Sequence, residues 1–251
     1  MILEGNYISI PFVENTDIDN FDWHEYIDKV YIMSIPKNKH KTNIVHNELN
    51  RIGIDNMYIQ DVYNINNPLY QYIFKSINTN QDYNKQTERD FNILLNHYEI
   101  IKKSYEFGYT KIMICEDDIR FLKNDDLIKQ QIKQLNFNTI DWLWLHKGQL
   151  TLIGDNYKIN MIVSSACYIL NQKAMKSYID FIENRLLSIS SWAPNDVLHI
   201  FITKCNKYFL ENDICICNID NNNSTDYQYT HIISDAISCV NKYKEEDYNL
   251  I

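Results

Sequence analysis

Two hydrophobic periods run through this chain. Short apolar runs bounded by polar turns predict buried strands, and apolar residues three and four apart predict helices. Residues 30–35 form the first apolar run, which Pro36 ends, and a helix is predicted from there to about 53 with Ile44, Leu49 and Ile52 on its apolar side. Residues 57–62 predict a second strand, and 64–86, rich in Asn, Gln and Tyr, a long loop. The clearest helix carries Phe91, Leu94, Leu95, Tyr98, Ile101 and Tyr105 at helical spacing and is stopped by Gly108. It leads into the apolar run Lys111-Ile112-Met113-Ile114-Cys115, which ends abruptly in Glu116-Asp117-Asp118. Asn124 reads as an N-cap, with Asp125 and Asp126 favouring the first turn of a helix that reaches 135.

Residues 141–145 predict a strand ending at His146-Lys147-Gly148, 153–159 a hairpin arm, and 161–170 an apolar strand followed by a helix to about 187. Asn195-Asp196 opens a further predicted helix over 197–204, and a short strand is expected near 214–217 before a polar loop at 221–229. Strands alternating with helices predict an α/β fold, a mostly parallel central sheet with helices on both faces. The polar, irregular residues 1–29 read as an extension packed on a single domain of 30–251.

At 251 residues the chain can bury a sizeable core. Its net charge of −9, spread along the chain, argues against a nucleic-acid surface or an anionic membrane as partner. No apolar stretch approaches the length of a membrane span, and Met1-Ile2-Leu3-Glu4-Gly5-Asn6 lacks the basic and apolar regions of a secretory signal, so a cytoplasmic location is expected. The six cysteines sit mostly in apolar runs without CxxC spacing and read as reduced core thiols. Formal glycosylation sequons at Asn222 and Asn223 then have no role. Heavy use of Asn, Ile, Lys and Tyr is the usage expected of an AT-rich genome, such as that of a large DNA virus.

The acidic strand end carries the chemistry. Three adjacent carboxylates repel one another, a cost most readily offset by a cation, and the carboxyl end of a strand in an open α/β sheet is where ligands bind. Side chains alternate along a strand, which sends Glu116 and Asp118 to one side and Asp117 to the other. Two oxygen ligands on one side suit a hard divalent ion, Mg²⁺ or Mn²⁺, with positions left for substrate phosphates. The competing reading is a solvated acidic turn.

Several segments together resemble glycosyltransferase family 25, the lipopolysaccharide-biosynthesis and procollagen galactosyltransferase group. Val30-Tyr31-Ile32-Met33-Ser34-Ile35 resembles its opening strand, and Leu95-Asn96-His97-Tyr98-Glu99-Ile100 its Ser-His helix, with Asn96 in place of serine. Ile112 to Phe121 resembles its acidic metal motif, Ser165-Ala166-Cys167-Tyr168-Ile169-Leu170 with Lys173-Ala174-Met175 its small–Ala–Tyr strand and following helix, and Pro194-Asn195-Asp196 its Pro-x-Asp. The resemblance implies a GT-A-like (Rossmann-like) fold and a metal-dependent inverting glycosyltransferase. Such an enzyme moves a sugar from a nucleotide-diphosphate donor, a UDP-sugar first, to a hydroxyl of a glycan or protein acceptor. It implies donor contacts at Ile35, Pro36, His97 and Asp117, Mn²⁺ or Mg²⁺ on Glu116 and Asp118, and Asp196 as the general base that takes the acceptor proton. His199 would share a helical face with Asp196. By analogy with GT-A enzymes, His231 is a candidate further metal ligand; His146, at a strand end, is a candidate acceptor or donor contact.

The chain departs from the family after the first strand, where Pro36-Lys37-Asn38-Lys39-His40-Lys41 replaces an Asp and an Arg. Lys41 lacks the bidentate fork of arginine. That departure motivates an alternative, a catalytically silent GT-A-like protein that binds glycans or a partner. The acidic cluster alone also admits a metal-dependent phosphoryl or nucleotidyl transferase, although no Gly-rich phosphate loop accompanies it.

Overall fold

The computed structural model describes residues 7–12, 17–34, 38–61, 68, 71–72, 85–146, 149–152, 159–163, 165–188, 198–199 and 202–217, with side chains described in these except at 61, 85–90, 149–152, 159–163 and 185–188. In chain order the elements are β1 (Tyr7–Ile10), β2 (Lys29–Ser34), α1 (Lys39–Arg51), β3 (Met57–Asp61), α2 (Lys85–Glu106), β4 (Lys111–Glu116), β5 (Ile119–Phe121), α3 (Asp125–Lys133), β6 (Trp142–Trp144), β7 (Gln149–Leu152), β8 (Ile159–Val163), β9 (Cys167–Asn171), α4 (Gln172–Ser188), β10 (Lys207–Leu210) and β11 (Cys215–Cys217). Among the described residues, seven strands form the central sheet in the order β1-β10-β6-β9-β4-β2-β3. Neighbours are parallel except on either side of β9, which runs against both β4 and β6. This is the mixed α/β, mostly parallel architecture that the alternating pattern predicts, and it is consistent with a GT-A-like fold.

Period-two alternation divides the core. Ile112 and Ile114 of β4 face the cluster built with Phe91, Leu94, Leu95 and Tyr98 of α2 and Ala174, Met175 and Tyr178 of α4. Met113 and Cys115 face the opposite cluster, with Val45 and Leu49 of α1 and Ile128 and Ile132 of α3. Helices on both faces explain why the central strands are apolar throughout rather than alternating.

The helix ends follow local chemistry. Asn124 caps α3, its Oδ1 accepting from the Leu127 amide at 3.1 Å. Gly53 and Gly108, just past α1 and α2, adopt φ of +92° and +80°, where a side chain is strained. The indole of Trp23 donates to the Ile52 carbonyl at 2.7 Å and so satisfies an orphan acceptor at the α1 terminus.

Four features differ from the sequence reading. The N-terminal residues are not irregular throughout, because β1 is an edge strand paired with β10 and Trp23 is buried in the core. The apolar stretch 161–170 is two strands, β8 in a hairpin with β7 and β9 in the central sheet, broken around Ser165 and Ala166. Residues 202–204 are not helical. Lys207–Leu210, too short and mixed to stand out, is a central-sheet strand because it pairs on both sides, with β1 and β6. Most of the predicted loop 64–86 and the loop 221–229, with the sequons, lie outside the described residues.

Candidate active site

The carboxyl ends of the parallel strands β2, β4 and β6 deliver the polar residues of one cluster. Strand β4 stops at Glu116, and Asp117 and Asp118 form a turn into β5. Strand alternation therefore places Glu116, while the turn places the two aspartates.

Glu116 lies on the α2 face. Its Oε1 accepts from the Ser165 hydroxyl at 2.9 Å, and His97 Nε2 of α2 lies 3.9 Å from the same oxygen. The side chain is 32% exposed, so it is open to a ligand. Asp117 turns toward β2, where Ser34 donates to its Oδ2 at 2.8 Å and Thr42 of α1 contacts the Ser34 hydroxyl.

Asp118 is the unusual member. Its Oδ1 is sealed from solvent and has no hydrogen-bond partner among the described residues. Burial pushes its carboxyl up to about 7, with the charges of Glu116 and Asp117 adding to the rise and those of Lys41 and His146 opposing it. Arg120, two residues on, is buried on β5 and donates to the Ile119 carbonyl at 2.6 Å. Burial pulls the Arg120 guanidinium down, and Asp118, Glu48 and Asp117 oppose that. His146, just past β6, places Nδ1 3.4 Å from Oδ2 of the buried Asp213.

His97 is fully enclosed: its Nδ1 meets the Tyr168 hydroxyl at 2.6 Å and its ring stacks on that of Tyr168. His199 is also buried, bonded through Nδ1 to the Tyr7 hydroxyl at 2.8 Å. Ile35, Pro36, Asp196 and His231 lie outside the described residues. The fold thus brings Glu116, Asp117, Asp118, His97 and Lys41 to one sheet end. Sequence reasoning passed over Ser34, Thr42 and Ser165 as binders of this cluster. The visible signal was a hydroxyl at the end of an apolar run, as at Ser34.

Among the described residues, no group of three or more His, Cys, Asp or Glu side chains comes together as a metal-ligand set. The orphaned Asp118 Oδ1 beside Glu116 nonetheless has the hard-oxygen character that a divalent cation requires. No described helix is long and apolar enough to cross a membrane.

No family model matches the chain, and no curated protein matches it. Among solved structures it is similar to a chain described as a glycosyltransferase involved in the glycosylation of the major capsid of PBCV-1. The two share 12% identity over 73% of this chain and 80% of that one, with a TM-score of 0.42. At that score no residue role is carried from one chain to the other.

Proposed function

We infer that this chain is a metal-dependent glycosyltransferase acting on a nucleotide-sugar. The observation that carries the reading is the acidic cluster at the sheet's carboxyl end, with a buried Asp118 oxygen that finds no hydrogen-bond partner among the described residues and a carboxyl whose pKa is raised to about 7. An unmet buried oxygen costs stability, and a bound cation would offset that cost, which supports the metal-dependent reading. The ordered resemblance to glycosyltransferase family 25 supports the sugar-transfer assignment over other metal-dependent transfers.

Glu116 and Asp118 would hold Mn²⁺ or Mg²⁺, with His231 the candidate third ligand. A divalent cation there supplies charge neutralisation for a departing diphosphate. Ser34, braced by Thr42, fixes Asp117 on the donor side, and Lys41 adds positive charge beside the phosphates, with Ile35 and Pro36 the adjoining donor contacts. Asp196 takes the acceptor hydroxyl proton as that oxygen bonds to the anomeric carbon from the face opposite the nucleotide. The bond to the diphosphate breaks and its electron pair leaves with the phosphate, which inverts the sugar carbon.

The test is a hydrolysis and transfer screen of nucleotide-sugars, UDP-sugars first, with and without Mn²⁺. Metal-dependent release of nucleoside diphosphate is expected from the wild type and none from Asp118→Ala. Undiminished turnover in that variant would sink the scheme. The lack of a three-residue ligand set among the described residues favours the second reading, a silent glycan- or partner-binding protein. Calorimetry that detects no metal-dependent binding of nucleoside diphosphates would decide for it.

A further inference from the structure

His97 is fully buried. Its two ring nitrogens face the core on one side and the acidic cluster on the other. Tyr168, 1% exposed, sits on β9 between Ile114 of β4 and Trp144 of β6. Its hydroxyl lies 2.6 Å from His97 Nδ1, and the two rings are held at a 5.7 Å centroid separation. On the far side of the imidazole, Nε2 lies 3.9 Å from Glu116 Oε1.

The tautomer follows from charge. A bare Nε2 lone pair facing a carboxylate is repelled, whereas an Nε2–H facing it is attracted. With the proton on Nε2, Nδ1 is the acceptor and the Tyr168 O–H the donor. The Ser165 hydroxyl donates to the same Oε1 at 2.9 Å. The Ser165 hydroxyl is thus bonded to one oxygen of a part-exposed carboxylate, while the Nε2–H of α2, 3.9 Å away and outside hydrogen-bond reach, acts on the same oxygen through charge alone.

We propose that Tyr168, His97 and Ser165 are positioning residues that lock the orientation of Glu116, with the Tyr168 hydroxyl anchoring the His97 ring in the tautomer that faces it. Partners behind metal-binding groups act in this way, fixing the orientation of a ligand. The proposal rests on the reading of Glu116 as a metal ligand.

The test uses Tyr168→Phe, which keeps the ring stack and deletes the hydroxyl, and Ser165→Ala, which deletes the other donor. Mn²⁺ binding by the full chain is followed by electron paramagnetic resonance, and the His97 tautomer by ¹⁵N shifts of labelled imidazole. The wild type should show the Nε2–H tautomer. Tyr168→Phe should keep that tautomer, which Glu116 sets, but bind Mn²⁺ about tenfold more weakly or worse, as expected when such a partner is removed and the ring loses its anchor. Ser165→Ala should weaken Mn²⁺ without altering the tautomer. Wild-type Mn²⁺ affinity in both variants, with Glu116→Gln abolishing binding, overturns the positioning role and leaves the metal reading standing. Mn²⁺ affinity unchanged in Glu116→Gln overturns the metal reading itself, and a wild-type Nδ1–H tautomer overturns the Tyr168 geometry independently of metal.

Discussion

Replacing Asp118 by Asn should stabilise the protein, and only above acidic pH. The Asp118 carboxyl is raised from 3.8 to about 7, first by burial and then by Glu116 and Asp117. The folded state therefore holds this proton more tightly than the unfolded chain. Between about pH 4 and pH 7 it binds more protons, so the Asp118 contribution to stability falls as pH rises through that window. At about 1.4 kcal/mol per pH unit, the rise from 3.8 to about 7 caps the cost of the ionised group at roughly 4 kcal/mol. Asparagine keeps the shape and removes the charge, but its amide inherits the sealed position of Oδ1, where an unmet polar group costs about 1–3 kcal/mol. The net gain at pH 8 is then about 1–3 kcal/mol, or several degrees in Tm for a chain of this size. Near pH 4 the wild-type carboxyl is itself neutral, so only the cost of the unmet amide remains and the variant should be less stable than wild type by about 1–3 kcal/mol. Urea melts of both proteins at pH 4, 6 and 8 in EDTA read this directly. A variant no more stable at pH 8, or a difference that does not change with pH, refutes the reasoning. Added Mn²⁺ at a hundredfold its dissociation constant should stabilise the wild type by about 2.7 kcal/mol and leave Asp118→Asn unmoved. The more stable protein would then be the inactive one, the trade expected where function stores strain.

Asp141 is a structural anchor: it accepts from the Asn206 amide at 2.8 Å, Lys173 Nζ at 2.6 Å and Asn171 Nδ2 at 2.8 Å, tying β6 to β9, α4 and β10. Burial pushes its carboxyl up, but these hydrogen bonds outweigh that and hold it below the usual range, so its contribution is present above about pH 4 and lost as pH falls further. Asp141→Ala should cost about 3 kcal/mol in a urea melt at pH 7; a loss under 1 kcal/mol would contradict this. Burial pulls the Lys207 ammonium down from 10.5 to about 8, so stability should rise from about pH 8 to 10 as the folded state sheds that proton first. Lys207→Met, which also loses the bond to the His199 carbonyl, should stay within about 1 kcal/mol of wild type at pH 7 and lack the alkaline rise, as alkaline melts would show. Gly53→Ala and Gly108→Ala should each cost about 1–2 kcal/mol from positive φ alone, because an added Cβ meets Trp23 only at 3.7 Å in the first case and nothing within 4 Å in the second. Unequal costs in denaturant melts would point to packing instead.

Periodicity was sufficient wherever burial is one-sided and local. The spacing of Phe91, Leu94, Leu95 and Tyr98 defines α2, and Asn124 with two following aspartates defines the start of α3, because these signals act within a few residues. The apolar runs of β2 and β4 were legible for the same reason, as was the acidic motif that ends β4. Sheet membership is different. Lys207–Leu210 and Tyr7–Ile10 become strands through pairing with residues far away in sequence, and no local pattern encodes a partner. The sequence by itself determined that three carboxylates stand together at a strand end. Only the tertiary structure decided their separate fates, because strand alternation ends at Glu116 and the turn takes over. Glu116 meets Ser165 and His97, Asp117 meets Ser34, and Asp118 keeps one sealed oxygen, Oδ1, that finds no hydrogen bond among the described residues.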